Sequence, residues 1–462
     1  MARKVYISFL GTSNYVEFIY KIDGIPTNPT RFIQEAIAEH DCKLWDENDA
    51  IFVFATKGDE GAYKKNWGDG GHSDPEPLYN IGLKKRLEGL SLRCPVECVQ
   101  IPEMEDENDI WELFDIVNNK IKDYDEIYFD ITYAYRFIPM FAMSLFNYSQ
   151  FVNGTKVVSV KYAMLDGMDD PSEIRKLPLK DREVQTVLDL TSLTDLQDWT
   201  FAAGQYIRSG NVKQLVEMKD KVESEELTKI IDKLGIVIKE RQTCRGINIH
   251  SSENLSILKE KLKAYFDDNQ SDRNYSEKPL HNILGKINES LKDFKESPDV
   301  MNGFYAAKWC CDNGLYQQAI TMLRENFITV FCVRYGLDIK AYDFNRVCVE
   351  NALNLRSNVK STIDDCVVFE DKNNPKSAEQ KERYKNIVER IMNDTLLMPI
   401  NNKKTEVAKL WCAVRSYRNN FNHNGMNEEP IEAETMENDI LEFVDKTIRL
   451  FSSVKDLNEL QM

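Results

Sequence analysis

The chain has 462 residues, of which 42 % are hydrophobic and 29 % are charged, and its formal net charge is −17 at pH 7. This length and composition favour a globular protein of two domains, and the longest apolar run, Phe137–Phe146, is too short for a membrane span of roughly 20 residues. The negative charge excludes a broad basic face that coats nucleic acid, so any nucleic-acid site must be a local cluster of Arg or Lys side chains.

The start of the chain, MARKVYISFLG, does not match a secretory signal, because only the six strand-like residues Val5–Leu10 separate the basic opening from a glycine turn. The ten cysteines are scattered and include no C-x-x-C pair, which is typical of reduced thiols. We therefore expect a cytoplasmic protein with neither disulfides nor a metal site.

Strand and helix patterns alternate over the first 165 residues. Short apolar, β-branched and aromatic runs predict five buried strands, at Val5–Leu10, Ala50–Thr56, Val96–Ile101, Glu126–Ile131 and Val157–Met164. Helical patterns lie between them, at Thr30–His40, Tyr79–Leu90, Asp109–Lys122 and Phe137–Gln150. This alternation predicts a Rossmann-like, doubly wound parallel sheet of the α/β class, in which ligands bind at the carboxyl ends of the strands.

Beyond about residue 185 the strand patterns stop, and apolar residues recur every three or four positions. The predicted helices are Asp195–Ile207, Val212–Glu223, Glu225–Arg241, Ser252–Phe266, Leu280–Phe294, Phe304–Cys332 and Thr405–Asn419. Two polar stretches, Asp267–Lys278 and Glu370–Lys381, are typical of exposed loops. We expect an α/β domain at 1–180, a helical connector at 181–300 and an all-α domain at 301–462.

Polar residues follow the first and fourth predicted strands. Gly11-Thr12-Ser13-Asn14 offers backbone N–H groups, hydroxyls and an amide to a phosphate. After the fourth strand, Arg136 can pair with a phosphate in a two-pronged way, and Tyr133 or Tyr135 can lie against a base. The alternative is that Asp130 caps the next helix and the aromatic side chains belong to the core. Neither G-x-G-x-x-G nor G-x-x-x-x-G-K-[ST] occurs, which argues against a dinucleotide oxidoreductase and a P-loop ATPase.

A second candidate site is the run RNNFNHNG at 418–425, which follows an amphipathic helical pattern. Residues five apart lie roughly 140° around an unbroken helix, so Arg418 and His423 would not share a face. Either the helix loosens after Asn419, or the pair converges only with a partner chain. A histidine can transfer protons at neutral pH, an arginine can stabilise charge on a phosphorane-like transition state, and Asn419 can orient the scissile phosphate.

Both sites carry a resemblance to a known family. DITYAYRFIP resembles the D-x-T-H-G-F-R-x-x-P signature of CRISPR-associated Rossmann-fold (CARF) sensor domains, with Tyr133 and Ala134 where the signature has His and Gly, and FLGTSNY resembles their first-strand motif. Arg418, Asn419 and His423 match the R-N-x-x-x-H motif of HEPN ribonucleases. The whole chain is similar to the type III CRISPR ancillary ribonucleases that join a CARF domain to a HEPN domain.

The resemblance implies a homodimer or higher oligomer that cleaves single-stranded RNA without metal or cofactor, through 2′-hydroxyl attack that leaves a 2′,3′-cyclic phosphate. It implies an allosteric activator, cyclic oligoadenylate, with four adenylates favoured and six as the alternative. The residues expected at this ligand are Gly11, Thr12, Ser13, Asn14, Asp130, Thr132, Tyr133, Ala134 and Arg136. The expected catalytic residues are Arg418, Asn419 and His423.

The catalytic pair and the role of Glu325 each have an alternative assignment. Arg245 and His250 also fit the R-x(4–6)-H pattern, although the Asn after Arg418 and the C-terminal position favour Arg418 and His423. Glu325 either orients Arg418 through an ion pair or is a surface acid. The remaining histidines, in contexts that match no motif, are expected to be ordinary surface or interfacial residues: His40, His72 and His281.

Two other functions fit the same motifs. One is a ligand-sensing regulatory protein whose HEPN domain is inactive. The other is an enzyme that cleaves the cyclic ligand itself in the Rossmann-like site, which the bulky Tyr133 disfavours.

Overall fold

The computed structural model describes residues 2–133, 135–165, 171–222, 224–267, 278–357, 363, 377–399, 401, 403–423, 425–426 and 430–454. The chain divides into two compact units, Met1–Gln197 and Asp198–Met462. The first unit contains a mostly parallel sheet with flanking helices, and the second is helical. The predicted fold class is therefore confirmed.

Within the described residues, eight strands form one sheet with the order β3-β2-β8-β7-β6-β1-β4-β5. The strands are β1 (Lys4–Leu10), β2 (Tyr20–Ile22), β3 (Ile25–Pro26), β4 (Ala50–Thr56), β5 (Val96–Ile101), β6 (Glu126–Asp130), β7 (Lys156–Ala163) and β8 (Gln185–Asp189). The five central and edge strands from β7 to β5 pair in parallel, whereas β8 pairs antiparallel to β7 and β3 antiparallel to β2. β8 lies beyond the boundary expected at 180, so the sheet extends past it.

Helices cover both faces of this sheet. They are α1 (Ile33–Asp41), α2 (Leu83–Gly89), α3 (Glu107–Asn118), α4 (Ile138–Asn153) and α5 (Pro171–Lys176). Along β1, Tyr6 and Leu10 pack in one apolar cluster with α1 and α2, while Val5, Ile7 and Phe9 pack in another with α3 and α4. Burial on both faces explains why β1 and β4 are continuous apolar runs in the sequence.

The sheet has a switch point between β1 and β6. After β1 the chain first forms the outer strands β2 and β3, then adds β4 on one side of β1 and later β6 on the other side. In open α/β sheets such a reversal leaves a crevice outside the carboxyl ends of the two strands. Ser8 of β1 is in register with Asp130 of β6. The loops that follow β1 and β6 therefore lie side by side at this crevice.

The helices that follow the sheet share one extensive apolar core. They are α6 (Thr191–Ser209), α7 (Lys213–Glu217), α8 (Glu225–Gln242), α9 (Gly246–Ser251), α10 (Glu253–Asp267), α11 (Lys278–Glu289), α12 (Met301–Asp312), α13 (Tyr316–Arg334), α14 (Val347–Arg356), α15 (Ala378–Met392), α16 (Glu406–Asn422) and α17 (Ala433–Ser452). The helix predicted at Phe304–Cys332 is broken at Gly314, whose φ of +71° belongs to the left-handed region. No helix in the described part of the chain is long and apolar enough to cross a membrane.

The helix α16 is fixed in the core of the second unit along one face. Its first turn is capped by Thr405, whose side chain accepts from the N–H of Ala408 at 3.3 Å. Trp411 is fully buried, and its Nε1–H donates to Asn354 Oδ1 at 2.9 Å. The same face includes the buried Val407 and Val414. This anchoring determines which side chains α16 presents at its C-terminal end.

Candidate functional site

The crevice in the first unit contains a cavity of about 320 Å³. It is lined by Phe9, Leu10, Gly11, Thr12, Ser13, Tyr15, Thr56, Ile101, Thr132, Tyr133 and Tyr135. Five of the nine residues predicted at a ligand are among them, and they come from the loops after β1 and β6. Thr56 and Ile101, at the ends of β4 and β5, were not predicted, although their strand-end positions place them at the same edge of the sheet.

Asn14 and Asp130 do not line this cavity, because both side chains bond to the protein. The Asn14 amide donates to Asp74 Oδ2 at 2.9 Å, and its oxygen accepts from Arg31 Nη1 at 2.9 Å. Asp130 accepts from Ser8 Oγ at 2.7 Å and from the N–H of Thr132 at 2.9 Å. Burial raises the pKa of the Asp130 carboxyl. Asn14 and Asp130 therefore hold the two loops in place.

The alternative role for Asp130, as the cap of the next helix, is wrong. The helix α4 begins at Ile138, its cap position is Phe137, and no side chain bonds to the first turn. Asp130 lies at the end of β6 instead, and its carboxylate fixes the start of the following loop. The helix starts later than the sequence suggests because a short turn follows Tyr135.

Arg136 is exposed and does not line the cavity. In the described part of the chain its guanidinium has no hydrogen bond or ion pair, so it is free to bind an anion. Ala134, the other predicted residue of this loop, lies outside the described residues.

The aromatic side chains of the cavity differ in accessibility. Tyr133 stacks on Tyr15, with 3.9 Å between ring centroids and 20° between ring planes. Tyr15 also accepts from the N–H of Gly11 at 2.7 Å, and a Cβ on Gly11 would lie only 2.6 Å from the same oxygen. Tyr135 is 38 % exposed, and its hydroxyl donates to the Glu103 carbonyl at 3.0 Å. Tyr135 therefore offers a ligand a more open ring than Tyr133 does.

Asn66 is a residue of this site that sequence reasoning missed. It is fully buried in the π-helical turn Tyr63–Trp67. Its Nδ2 donates to the carbonyls of Gly11 at 2.8 Å and Ser13 at 2.9 Å. Its Oδ1 accepts from Arg31 Nη2 at 3.2 Å and lies 3.1 Å from His72 Nε2. The Asn66 amide thus fixes the loop after β1 from outside the cavity. No sequence motif identifies Asn66.

The histidines that match no motif have structural partners. His40 lies in an ion-pair cluster with Asp23 and Asp41, where Lys161 Nζ is 2.8 Å from Asp41 and 3.5 Å from Asp23. The buried ammonium of Lys161 supplies the positive charge of this cluster. His281 packs against Tyr265 and Phe266.

The C-terminal end of α16 carries the second candidate site. The helix continues through Asn422, and the His423 N–H still donates to the Asn419 carbonyl at 3.0 Å. The first of the two alternatives, that the helix loosens after Asn419, is therefore wrong. The helix ends instead where Gly425, with a left-handed φ of +67°, donates its N–H to the Asn420 carbonyl at 3.0 Å.

Arg418 and His423 lie on different sides of the C-terminal end of α16. His423 is exposed and Arg418 is half-buried, and on an unbroken helix residues five apart point roughly 140° away from each other. The Arg418 guanidinium lies against the amide of Asn422, with Nη1 2.8 Å from the amide oxygen when that oxygen faces it. Asn419 is half-buried. Within one chain, Arg418 and His423 therefore do not converge on one point.

Glu325 does not orient Arg418, so that interpretation is wrong. Its carboxylate pairs with Arg324 and with Arg346, the latter at 2.8 Å. Arg324 also pairs with Glu350, and its guanidinium lies over the Trp411 ring at 5.8 Å from the centroid. The Glu325 carboxylate is saturated by two arginines closer to it in the fold.

The alternative pair, Arg245 and His250, is divided between surface and core. Arg245 is exposed, and its Nε donates to the Thr243 carbonyl at 2.9 Å. His250 is 4 % exposed, and burial lowers its pKa to about 4. Its ring is therefore neutral at pH 7 and out of reach of a substrate phosphate bound at Arg245.

Comparison with known proteins gives a sequence relative and distant structural matches. No protein-family model matches the chain. It is 26 % identical over 241 residues to the CRISPR-associated protein MJ1674 of Methanocaldococcus jannaschii, a match that covers 50 % of this chain and only 33 % of that protein. Enterococcus italicus Csm6 bound to cyclic hexa-2′-fluoro-hexa-dAMP aligns with 100 % of this chain and 97 % of its own, at 11 % identity and a TM-score of 0.39.

The sequence match spans about a third of the length of the relative. The α/β unit followed by a helical unit is the architecture that the motifs predict. The chain thus resembles the type III CRISPR-associated CARF–HEPN proteins, in its motifs, in its order of domains and in its similarity to a CRISPR-associated relative.

Proposed function

We propose that this protein is a cyclic oligoadenylate-activated endoribonuclease of type III CRISPR antiviral defence, which cleaves single-stranded RNA without a metal ion. The observation that carries the proposal is the placement of the R-N-x-x-x-H residues. One face of α16 is anchored in the core by Trp411, and Arg418 and His423 stand at its accessible end. A helix held in this way presents an arginine and a histidine to a substrate.

The reaction needs only proton transfer and charge stabilisation. His423 takes the proton of the ribose 2′-hydroxyl, whose oxygen attacks the adjacent phosphorus. The 5′-oxygen of the next nucleotide leaves with the proton that His423 has taken up, so the products end in a 2′,3′-cyclic phosphate and a 5′-hydroxyl. Arg418 stabilises the negative charge on the phosphorane oxygens, and Asn419 orients the scissile phosphate.

A homodimer accounts for the separation of the two side chains on α16. Because Arg418 and His423 point to different sides of the helix, one chain does not close a site around a phosphate. Two α16 ends that face each other would bring the arginine of one chain towards the histidine of the other. They would also gather two arginines in one cleft of an otherwise acidic protein.

The cavity between β1 and β6 is the proposed sensor site. Thr12 and Ser13 are exposed hydroxyls at its edge, Tyr135 offers a ring to a base, and the exposed Arg136 can pair with a phosphate. Two such cavities in a homodimer would share one ring of four adenylates, with six as the alternative. The ring activates the enzyme if it binds the active arrangement more tightly than the resting one.

The chemistry is tested by incubating a fluorescent single-stranded RNA with the protein, EDTA and cyclic tetra- or hexa-adenylate. We expect cleavage in EDTA and products with 5′-hydroxyl ends, which polynucleotide kinase can label directly. Cleavage that requires added Mg²⁺, or 5′-phosphate ends, would contradict the proposed mechanism. Bound ligand with intact RNA would favour the regulatory protein with an inactive HEPN domain, and degraded ligand would favour the enzyme that acts on the ligand itself.

Replacement of Asn66 with Asp should weaken binding of the cyclic oligoadenylate by about tenfold or more. The new carboxylate would place an oxygen against the carbonyls of Gly11 and Ser13, which now accept from Nδ2, so the loop would leave its present conformation. Asn28→Asp, an exposed site in the same unit, is the matched control and should bind as wild type does. Equal affinity of the Asn66 variant and wild type, measured by calorimetry, would show that the loop needs no such support.

A further inference from the structure

The loop after β1 is held from outside the cavity by two segments that follow strands on opposite sides of the crevice. Asp74 lies in the segment that links β4 to α2, and Arg175 lies in α5, which follows β7. In the sheet, β4 flanks β1 and β7 flanks β6. A contact between Asp74 and Arg175 therefore joins the two sides of the switch point.

Arg175 uses both terminal nitrogens of its guanidinium in this contact. Nη1 donates to Asp74 Oδ2 at 2.8 Å, and Nη2 donates to the Asn14 carbonyl at 2.9 Å. The Asn14 amide donates to the same Asp74 oxygen at 2.9 Å. The three residues thus form a closed ring of hydrogen bonds, and Asn14 is held through both its main chain and its side chain.

The surroundings fix the guanidinium and the carboxylate of this ring. The guanidinium carbon of Arg175 lies 3.9 Å from the centroid of the Tyr79 ring. Asp74 Oδ1 accepts from the Glu76 N–H at 3.0 Å. The Glu76 N–H and the Arg175 guanidinium hold the pKa of the Asp74 carboxyl below its usual range, so it is ionised at pH 7. The side chains of Arg175 and Asp74 are only 21 % and 10 % exposed, which separates this pair from a solvated surface ion pair.

Asn14 connects the ring of hydrogen bonds to the cavity. It follows Thr12 and Ser13, whose exposed hydroxyls line the cavity. Neither Asp74 nor Arg175 is among the lining residues, so these two act on a bound ligand only through the loop. A loop that is ordered before binding costs the ligand less free energy to engage.

Resting on the proposed function, we propose that Arg175 is a positioning residue of the sensor. Together with Asp74 it holds the loop after β1 in the conformation that binds the cyclic oligoadenylate. Arg175 thereby sets the ligand concentration at which RNA cleavage begins, whereas the rate at saturating ligand depends on the residues of α16. No sequence motif identifies Arg175, because Asp74 and Asn14 lie 101 and 161 residues away from it in the chain.

The test compares wild type with Arg175→Ala, Asp74→Asn and the double variant, all as full chains. Asp74→Asn keeps the shape of the side chain but replaces one acceptor with a donor, so the ring of hydrogen bonds cannot close. The matched control is Lys176→Ala, at the next residue of α5, because the Lys176 ammonium pairs only with Glu173 on the surface. Thermal unfolding of each variant shows whether it is folded.

Calorimetry gives the Kd of cyclic tetra- or hexa-adenylate, and RNA cleavage gives the half-activating ligand concentration and the maximal rate. We expect each single variant to raise the Kd and the half-activating concentration about tenfold, with a maximal rate within about twofold of wild type. Because both changes break the same ring, the double variant should bind no more than about threefold more weakly than Arg175→Ala. The Lys176 variant should bind as wild type does.

Three results would overturn the proposal. They are variants that bind the ligand within about twofold of wild type, a lower maximal rate at an unchanged half-activating concentration, and effects of the two changes that multiply in the double variant. Wild type that binds neither ring would refute the proposed sensor and this role of Arg175 with it. Wild type that binds a ring without cleaving RNA would refute only the nuclease, since the Kd values still test Arg175.

Discussion

Arg418→Ala and His423→Ala should each lower ligand-activated RNA cleavage by about 10²- to 10⁴-fold. The first change removes the cation that stabilises the phosphorane oxygens, and the second removes the group that carries the proton. Two arginines serve as matched controls, Arg415 one turn earlier on α16 and the exposed Arg245 of the alternative pair. Their alanine variants should cleave RNA within about twofold of wild type.

Comparison of Arg418→Ala with Arg245→Ala decides which arginine belongs to the catalytic pair. Arg418 and His423 stand at the accessible end of α16, so their alanine variants should unfold at the same temperature as wild type. A loss of cleavage in Arg245→Ala, with Arg418→Ala active, would transfer the site to α9. A loss only in variants that also unfold early would remove the evidence for either catalytic pair.

Trp411→Ala should lower the free energy of unfolding of the helical unit by about 3–5 kcal/mol. Trp411 is fully buried, packs edge-on against Phe327 at 6.1 Å between centroids, and lies under the Arg324 guanidinium. Its removal leaves a large cavity and an Asn354 oxygen without its donor. The same change frees the face of α16 that positions Arg418, so cleavage should fall as well.

Urea unfolding followed by circular dichroism at 222 nm measures this effect, because most helices lie in the second unit. Trp111→Ala is the control, since Trp111 is 63 % exposed and its loss should change the free energy of unfolding by no more than about 0.5 kcal/mol. A Trp411 variant within about 1 kcal/mol of wild type would show that α16 is held by other contacts.

The sequence predicts the main strands of the first unit because their burial is unambiguous. β1 and β4 are nearly continuous apolar runs, and β4 and β5 have the predicted bounds, although only Ile101 of the edge strand β5 is buried. β2, β3 and β8 are not predicted, because they have two to five residues with exposed positions and depend on pairing with the rest of the sheet. Strand pairing at the edge of a sheet is a tertiary effect that a local pattern does not contain.

The sensor cavity was predictable in outline, since a doubly wound sheet brings the ends of β1 and β6 together. The roles of individual residues in this cavity were harder to predict from the sequence. Asn14 is a polar residue in the right loop, yet Arg31 and Asp74 engage its side chain. Asn66 lies 55 residues after Gly11 and reaches its carbonyl only through the fold. Long-range hydrogen bonds of this kind leave no periodic signal in the sequence.

At the C-terminal end of α16, the sequence predicts the helix and the catalytic motif. It does not predict where the helix ends or which side chains contact Arg418. Asparagines after Asn419 favour a helix end, whereas the buried Asn420 and the Gly425 turn allow the helix to continue to Asn422. Glu325 was a candidate partner for Arg418, but its carboxylate pairs with Arg324 and Arg346 instead. Which of several arginines a carboxylate meets depends on helix packing.

The most direct test of the central claim measures ligand binding and RNA cleavage in the same samples, as cyclic tetra- or hexa-adenylate is titrated into wild type and His423→Ala. We expect wild type to cleave RNA only as ligand binds, and the variant to bind ligand equally well without cleaving RNA. Cleavage at full rate without ligand, intact RNA with ligand-saturated wild type, or full activity of His423→Ala would contradict a ligand-switched ribonuclease.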